Sequence, residues 1–211
     1  MTSKLIISDH HDFSLEEQYF FLNGEKYEYF LAYGSRGLNE RIVELPLVCK
    51  YIQEHIGKNI LEVGSIFTLL LGDVFDAVDL TEKGENIINV DIAHYKPNKK
   101  YDLILSLSTI EHFGHGDYGD EKDPIKLKKA LKHIISLLSD EGTFFATAPI
   151  GWNLQLDGLI RRKQLPFQDI YFMKRISSGV WKQVDLNGAL EAKYNYPYPN
   201  ANAIMIGVCQ K

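Results

Sequence analysis

The chain has 211 residues, 45% of them hydrophobic and 24% charged, a balance typical of one globular α/β domain that excludes a disordered or fibrous chain. Its formal net charge is −5, and its Lys and Arg residues form no long run. Because a duplex-binding surface needs clustered positive charge, we expect no nucleic-acid partner.

The cysteines and the apolar runs indicate where the protein works. Cys49 and Cys209 lie far apart in the sequence, which fits neither a disulfide framework nor a metal-ligand spacing and is typical of a reducing compartment. The N-terminal apolar stretch is too short for a signal peptide, and no apolar run approaches the ~20 residues that cross a bilayer. We therefore expect a cytoplasmic protein without membrane insertion, whose oligomeric state stays open.

The first part of the chain, residues 1–45, is predicted to be a lead-in to the main domain. Residues 16–33 carry many aromatic side chains around Asn23-Gly24, a pattern that indicates either a hairpin or an aromatic lid. A helical pattern starts at Leu45, with Pro46 suited to a first turn and Gly57 suited to the stop.

The remaining residues, 46–211, alternate between short apolar runs and helical stretches. The clearest helix is 123–139, which we expect to end at Asp140-Glu141-Gly142. Such alternation predicts a single α/β domain with a mostly parallel seven-stranded sheet and helices on both faces. The predicted strands are 59–64, 75–79, 87–91, 101–107, 143–148, 169–174 and 203–209.

Polar side chains follow four successive predicted strands, where parallel sheets bind their ligands. Each has an ordinary structural explanation: a glycine after a strand makes a turn, and an aspartate such as Asp79 caps the next segment. Their occurrence in order at four strand ends favours a ligand site instead. The residues concerned are Gly64, Ser65, Asp79, Asp91, Ile92, Ser108, Thr109, Glu111 and His112.

These motifs resemble the Rossmann-like S-adenosylmethionine-dependent methyltransferases. The resemblance rests on "ILEVGS", Asp79, "NVDI", "YDLILSLSTIEHFG" and "GTFFATAP", and it implies a Rossmann-like fold with S-adenosylmethionine as cofactor. By the same resemblance, Glu62 and Gly64 form the turn beside the amino-acid part of the cofactor. Asp79 would hold the ribose, and Asp91 would meet the adenine. "STIEHFGHGDYGD" with "APIG" also resembles a subgroup linked to glycan and surface-polysaccharide biosynthesis.

The turn after the first strand departs from that family, because Ile66 and Leu69 stand where glycines are usual. S-adenosylmethionine carries no pyrophosphate, so a single glycine can suffice. A dinucleotide would need the later glycines. A decayed site that only scaffolds is the competing explanation, and the retained aspartates favour a working cofactor site.

The segment "EHFGHGDYGD" supplies the predicted catalytic residues His112, Glu111 and His115. Histidine suits a general base near neutral pH, and Glu111 would fix the tautomer of His112. The alternative is that His112 only packs under the cofactor and that Glu111 caps or braces a loop. His115, Asp117 and Asp120 also offer ligands for a divalent cation, and His10-His11-Asp12 offers more, but the spacing matches no specific metal pattern. We predict no structural metal and leave a catalytic magnesium open.

An arginine ahead of the first strand of the main domain, Arg41 or Arg36, could pair with the cofactor carboxylate, and a solvated helical face is the alternative explanation of this segment. Trp152-Asn153 and the tail "KYNYPYPNAN" are candidates for the acceptor pocket. The sequence thus predicts a methyltransferase for a small hydroxylated acceptor, such as a sugar, sugar nucleotide or glycan precursor, with O-methylation favoured. A non-catalytic binding or scaffold protein is the main alternative, and a nicotinamide-dependent enzyme is a third.

Overall fold

A computed structural model describes residues 18–31, 38–72 and 75–211. Two short 3-10 helices, Ile92–His94 and Ile110–His112, follow the third and fourth strands of the main sheet. The other elements are, in chain order, β1 (Tyr19–Leu22), β2 (Glu25–Glu28), α1 (Arg41–Glu54), β3 (Ile60–Val63), α2 (Ile66–Leu71), β4 (Asp76–Asp79), β5 (Ile87–Asn89), β6 (Tyr101–Leu107), α3 (Lys126–Leu137), β7 (Leu138–Pro149), α4 (Leu154–Arg161), β8 (Asp169–Ser177), β9 (Val180–Val184), α5 (Leu186–Leu190) and β10 (Ala203–Gln210).

Eight strands form the main sheet, in the order β5-β4-β3-β6-β7-β10-β8-β9. Strands β5, β4, β3, β6 and β7 pair in parallel, whereas β10 pairs antiparallel with both β7 and β8. The strand order reverses between β3 and β6, which is the arrangement of a doubly wound Rossmann-like sheet. The predicted fold class is confirmed, with eight strands where seven were predicted. The additional strand is β9, a short return from β8 in which only Val180 and Trp181 are buried.

Helices cover both faces of the sheet, and each face has its own apolar core. Strand β6 shows how the two cores arise, because its successive side chains point to opposite faces. Leu103 and Leu105 pack in the core beneath α1, α2 and the N-terminal hairpin. Ile104 packs in the core beneath α3, α4 and α5. The predicted placement of helices on both faces is therefore confirmed.

Helix α1 begins at Arg41, earlier than the predicted start at Leu45, so Pro46 lies inside the helix. A proline has no N–H for the carbonyl four residues before it, here that of Ile42. The Ile42 carbonyl instead accepts a hydrogen bond of 3.1 Å from the N–H of Phe30. This contact with Phe30, two residues after the end of β2, satisfies the carbonyl that the proline leaves free. The prediction of Pro46 in the first turn is wrong.

Helix α3 ends at Leu137 and β7 starts at the next residue, so the predicted terminator Asp140-Glu141-Gly142 is wrong. Those residues lie within β7, where the pairing with β6 shifts register between Tyr101 and Leu103. Glu141 adopts a φ of 67° at this irregularity. The additional residues of β7 thus form a bulge in the strand. The sequence pattern at these residues had indicated the end of a helix.

The hairpin predicted at Asn23-Gly24 is present. Both turn residues have positive φ, 50° and 80°, as a two-residue turn with the right-handed strand twist requires. Phe20 and Leu22 of β1 are buried in the core on the α1 side. In the part of the chain that the structure describes, no helix is long and apolar enough to cross a membrane.

Candidate functional site

A cavity of about 1080 Å³ opens at the carboxyl ends of the parallel strands. It lies at the point where the order reverses between β3 and β6, the usual ligand position in open α/β sheets. Aromatic and polar side chains from α1, the loop after β6 and the C-terminal region complete its wall. The strand-end residues in its lining are 63–66, 78–82, 90–92, 108–109, 111–113 and Pro149.

The turn between β3 and α2 brings the backbone close to the cavity at Gly64. Gly64 has a φ of +88°, and a Cβ atom there would lie 2.4 Å from the Oγ1 of Thr109. Both the backbone conformation and the space therefore require glycine. The N–H of Gly64 donates to the carbonyl of Val78 at 2.9 Å, which ties the turn to β4.

Glu62 precedes this turn and is 1% exposed. Its Oε1 accepts the N–H of Phe67 at 2.6 Å, and its Oε2 accepts both the N–H and the hydroxyl of Thr68, at 2.8 and 2.7 Å. Burial raises the pKa of Glu62, against the lowering effect of these hydrogen bonds. The carboxylate thus occupies the first N–H groups of α2 and does not line the cavity. The structure gives Glu62 the role of holding the turn.

Asp79 lies at the end of β4 and lines the cavity. Its Oδ1 accepts the N–H groups of Thr81 and Glu82, both at 2.9 Å, and its Oδ2 accepts the hydroxyl of Ser65 at 2.9 Å. The capping explanation is therefore correct for Oδ1. A carboxylate oxygen can accept two hydrogen bonds, so Oδ2 keeps acceptor capacity for a ligand hydroxyl.

Asp91 follows β5, and Ile92 beside it is buried in the cavity wall. The Nζ of Lys126 lies 2.5 Å from Oδ2 of Asp91 and also pairs with Asp120. Burial would raise the pKa of Asp91, but the hydrogen bonds from Lys126 and from the N–H of Ala93 outweigh it, and the pKa is lowered. Asp91 is therefore held as an ionised acceptor. The role of Lys126 here depends on a contact with a residue far along the chain.

The end of β6 is fixed by hydrogen bonds that run away from the cavity. The Ser108 hydroxyl donates to Oε1 of Glu44 at 2.7 Å, and the Thr109 hydroxyl donates to the carbonyl of Leu107 at 2.9 Å. Ser108 has a φ of 40°, which is uncommon for a residue with a side chain. Both residues line the cavity as predicted, with their hydroxyl protons already engaged.

His112 lines the cavity, and its Nδ1 lies 2.8 Å from Oδ2 of Asp117. An ionised carboxylate only accepts, so Nδ1 carries the proton and the Nε2 of a neutral ring has a free lone pair. Glu111 Oε1 lies 3.6 Å from Nε2, too far for a hydrogen bond. The residue that fixes the tautomer is therefore Asp117, and the prediction of Glu111 in that role is wrong. His115 also contacts Asp117, at 3.4 Å, but is absent from the cavity lining.

Aromatic rings surround His112 at the mouth of the cavity. Tyr118 and Trp152 meet the imidazole edge-on, with centroid distances of 4.8 and 5.9 Å. Tyr194 packs against Trp152 at 4.8 Å. The sequence predicted Trp152 and the C-terminal tail as pocket residues, and all three rings line the cavity.

A group of four ionisable side chains forms the buried floor on the α1 side, none more than 9% exposed. Arg41 forms an ion pair with Glu44, whose other oxygen accepts the hydroxyls of Ser108 and Thr147. Burial would lower the pKa of Arg41, but the nearby carboxylates raise it, so the guanidinium stays charged. We call this group the floor cluster; its members are Glu40, Arg41, Glu44 and Glu111.

Ten of the predicted site residues converge on the cavity, whereas Glu62 and His115 do not line it. No three His, Cys, Asp or Glu side chains within the described ranges are arranged to hold a metal ion. Asp120 is occupied with Lys126 and the N–H of Gly114 rather than with His115 and Asp117. His10, His11, Asp12 and Arg36 lie outside the described residues. The ten that line the cavity are Arg41, Gly64, Ser65, Asp79, Asp91, Ile92, Ser108, Thr109, Glu111 and His112.

No protein-family model matches the chain, and no curated protein matches its sequence. Among solved structures, the fold is similar to N-methyltransferase NodS from Bradyrhizobium japonicum WM9, at 12% identity over 82% of this chain and 96% of that one, with a TM-score of 0.48. A second NodS structure holds S-adenosyl-L-homocysteine.

Two further solved structures show a likeness of the same order. A SAM-dependent methyltransferase from Archaeoglobus fulgidus shares 16% identity over 78% of this chain and 91% of its own, with a TM-score of 0.45. The 1,6-didemethyltoxoflavin-N1-methyltransferase of Burkholderia thailandensis shares 14% identity over 80% of this chain and 78% of its own, with a TM-score of 0.44. At these values the likeness is one of fold alone. The glycan-related subgroup expected from the sequence is not supported by these comparisons.

Proposed function

We propose that this chain is an S-adenosylmethionine-dependent methyltransferase that methylates a hydroxyl group of a small acceptor. The observation that carries the proposal is one cavity with strand-end carboxylates on one side and a histidine–aspartate pair on the other. Asp79 and Asp91 form the first side, and His112 with Asp117 forms the second. A cavity of about 1080 Å³ has room for both a nucleoside cofactor and an acceptor.

The turn at Gly64 fits S-adenosylmethionine better than a dinucleotide. A dinucleotide places its pyrophosphate on the free N–H groups at a helix N-terminus. Here the N–H groups of Phe67 and Thr68 are bonded to the Glu62 carboxylate, which would also repel a phosphate. A cofactor without phosphate avoids both problems. The hydrogen bonds within the turn therefore argue against a nicotinamide-dependent enzyme.

The residues on the cofactor side offer one partner for each part of the molecule. Oδ2 of Asp79 would accept a ribose hydroxyl, and Asp91 with Ile92 would meet the adenine. Arg41 has N–H groups beyond those it gives to Glu44, and these would bind the cofactor carboxylate. When bound, S-adenosylmethionine supplies a methyl group on a positively charged sulfur, which is the electrophile of the reaction.

On the acceptor side, His112 would act as general base. Asp117 holds its Nδ1–H, so Nε2 can take the proton of an acceptor hydroxyl as the methyl group arrives. Glu111 lies beside His112 but does not bond to it. The chain's own contribution is thus to orient the hydroxyl, keep the correct tautomer and remove one proton.

A sugar, sugar nucleotide or glycan precursor is the acceptor class that we propose. Trp152, Tyr118 and Tyr194 line the mouth of the cavity, and the apolar faces of sugar rings pack well on such side chains. A non-catalytic scaffold would need no ordered base, so the His112–Asp117 hydrogen bond favours an enzyme over that alternative.

Calorimetric titration of the full-length protein with S-adenosylmethionine, S-adenosylhomocysteine and NAD tests the cofactor. We expect saturable binding of the first two and none of NAD. Binding of NAD alone would overturn the proposal. A subsequent assay of methyl transfer to a panel of sugars and sugar nucleotides separates an enzyme from a scaffold, because a scaffold binds the cofactor without turnover.

A further inference from the structure

The floor cluster contains more carboxyl groups than cations. Its three carboxyl groups belong to Glu40, Glu44 and Glu111, and its single cation is Arg41. Arg41 pairs with Glu44, which is fully buried and also receives two hydroxyl hydrogen bonds. A buried carboxylate without a compensating partner is costly. Glu44 is compensated, so the imbalance falls on Glu40 and Glu111.

Glu111 is the member that lacks a partner. It is 2% exposed, and its Oε2 has no hydrogen-bond partner among the described residues. Its Oε1 lies 3.6 Å from Nε2 of His112. Glu111 nevertheless lines the cavity, as does Glu40, which accepts one hydrogen bond of 3.2 Å from the N–H of Ala201. A buried acceptor without a partner, on a residue that lines a cavity, calls for a donor such as one on a ligand.

We propose that Glu111, supported by Glu40, binds the ammonium group of a ligand at the floor of the cavity. The inference rests on the proposed function, because the two molecules it implies are the sources of such a group. One source is the amino-acid part of the cofactor, and the other is an amino group on the acceptor, as in an amino sugar. Both present the same chemistry to Glu111: a compact cation with N–H donors.

Three features select an ammonium group over a metal ion. A metal would need several ligands that converge, and no such group of three exists in the described part of the chain. An ammonium group needs one or two carboxylates and tolerates aromatic neighbours, whose ring faces attract cations. Trp152 and Tyr194 line the same cavity. Arg41 is held by Glu44 and stays nearby, where it would bind a carboxylate on the same ligand.

The experiment compares the wild type with Glu111→Gln, which keeps the shape of the side chain and removes its charge. Glu28→Gln, on the exposed strand β2, is the matched control. The probes for the cofactor source are S-adenosylhomocysteine and 5′-methylthioadenosine, which lacks the amino-acid part. The probes for the acceptor source are glucosamine and glucose, titrated into protein saturated with S-adenosylhomocysteine.

If the cofactor supplies the ammonium group, Glu111→Gln weakens binding of S-adenosylhomocysteine at least ~10-fold and leaves 5′-methylthioadenosine within two-fold. If the acceptor supplies it, S-adenosylhomocysteine is unchanged, and the preference of the wild type for glucosamine over glucose is lost. Glu40→Gln is a second variant and should show a smaller loss on the same probe. The control should change neither affinity.

Two results together overturn the inference. The affinity of Glu111→Gln for S-adenosylhomocysteine lies within two-fold of that of the wild type, and the substitution removes no preference for glucosamine over glucose, either because the wild type has none or because the variant keeps it. Failure of the proposed function gives a different result, in which the wild type binds neither S-adenosylhomocysteine nor 5′-methylthioadenosine. Circular dichroism and thermal unfolding of each variant establish that a lost affinity belongs to a folded protein.

Discussion

Asp117 lies 2.8 Å from Nδ1 of His112 and 3.4 Å from Nδ1 of His115 through the same oxygen, Oδ2. One carboxylate thus contacts two imidazoles, of which only His112 lines the cavity. The shorter contact is a hydrogen bond, whereas 3.4 Å is longer than the usual N–H···O distance. The two histidines are neighbours in the sequence, but the shorter contact and the position in the cavity lining distinguish His112, the proposed base, from His115.

His112→Ala should lower kcat by about 10²–10⁴-fold, the usual contribution of a general base. Cofactor affinity should stay within a few-fold of wild type, because the strand-end carboxylates are unchanged. The loss should be smaller at high pH, where hydroxide and ionisation of the acceptor replace part of the base. Steady-state kinetics and calorimetry of the variant measure the two effects. If turnover stayed intact while cofactor binding was lost, His112 would instead line the cofactor pocket without acting as a base.

Asp117→Asn should lower kcat by about 10–100-fold with little change in KM, because an amide can donate to the ring and favour the wrong tautomer. His115→Ala is the control, since His115 contacts the same carboxylate outside the cavity lining. It should keep most of the activity. Equal losses in the two variants would show that the loop as a whole, rather than the bond to His112, supports turnover.

The strand ends were predictable because each follows a short apolar run, and parallel strands bring their carboxyl ends to one edge. The contacts that complete the site were not. Glu44 is separated from Ser108 by 64 residues and from Thr147 by 103, and no local pattern encodes such pairs. The same holds for Lys126 with Asp91.

Two errors have local causes. The sequence does not predict strand β9, because its two buried residues, Val180 and Trp181, are consecutive and are followed by two exposed ones, so it gives no alternation signal. The family resemblance predicts Glu62 as a cofactor contact, whereas its carboxylate caps α2. No local signal indicates this, because a serine such as Ser65 is a preferred N-cap residue. In the structure Ser65 makes no side-chain cap, and Glu62 satisfies the free N–H groups of the helix instead.

Asp79→Ala should weaken binding of S-adenosylhomocysteine by ~10-fold or more, since a hydrogen bond to a charged group is worth about 1.5–3 kcal/mol. The variant should also lose stability, because Oδ1 caps the loop that follows β4. Asp185→Ala is the matched control: Asp185 caps α5 through the N–H of Gly188 at 2.8 Å, away from the cavity. It should lose stability alone. If Asp79→Ala bound S-adenosylhomocysteine with unchanged affinity, Asp79 would serve only to cap the loop after β4.

Gly64→Ala should lower the free energy of unfolding by about 1–3 kcal/mol and abolish cofactor binding. Two effects combine: a φ of +88° that alanine disfavours, and a Cβ 2.4 Å from Oγ1 of Thr109. Gly57→Ala isolates the first effect, because Gly57 has a φ of +80° with nothing within 4 Å of the added Cβ. Chemical denaturation and calorimetry of both variants separate the cost of the backbone conformation from the cost of the steric contact with Thr109. Cofactor binding by Gly64→Ala at wild-type affinity would contradict the close approach.

The pH dependence of stability tests the state of Glu111. Burial raises its pKa well above the usual range, with Glu44 and Glu40 adding to the rise and Arg41 opposing it. The folded state therefore binds this proton at pH values where the unfolded state has lost it. Because the unfolded state holds fewer protons, stability falls as pH rises above the unfolded pKa, about 4.3, until the folded pKa is reached.

Glu111→Gln removes that proton equilibrium and should behave differently as pH rises. Below pH 4 both proteins carry an uncharged side chain at position 111, and their free energies of unfolding should be similar. Above that pH the variant should become progressively more stable than wild type, with a slope of at most about 1.4 kcal/mol per pH unit. Urea unfolding at several pH values between 4 and 8 measures the difference. A difference independent of pH would show that Glu111 loses its proton at the same pH in the folded and unfolded states. Its charge would then already be compensated in the folded protein, and the reason for a cationic ligand at the floor would be removed.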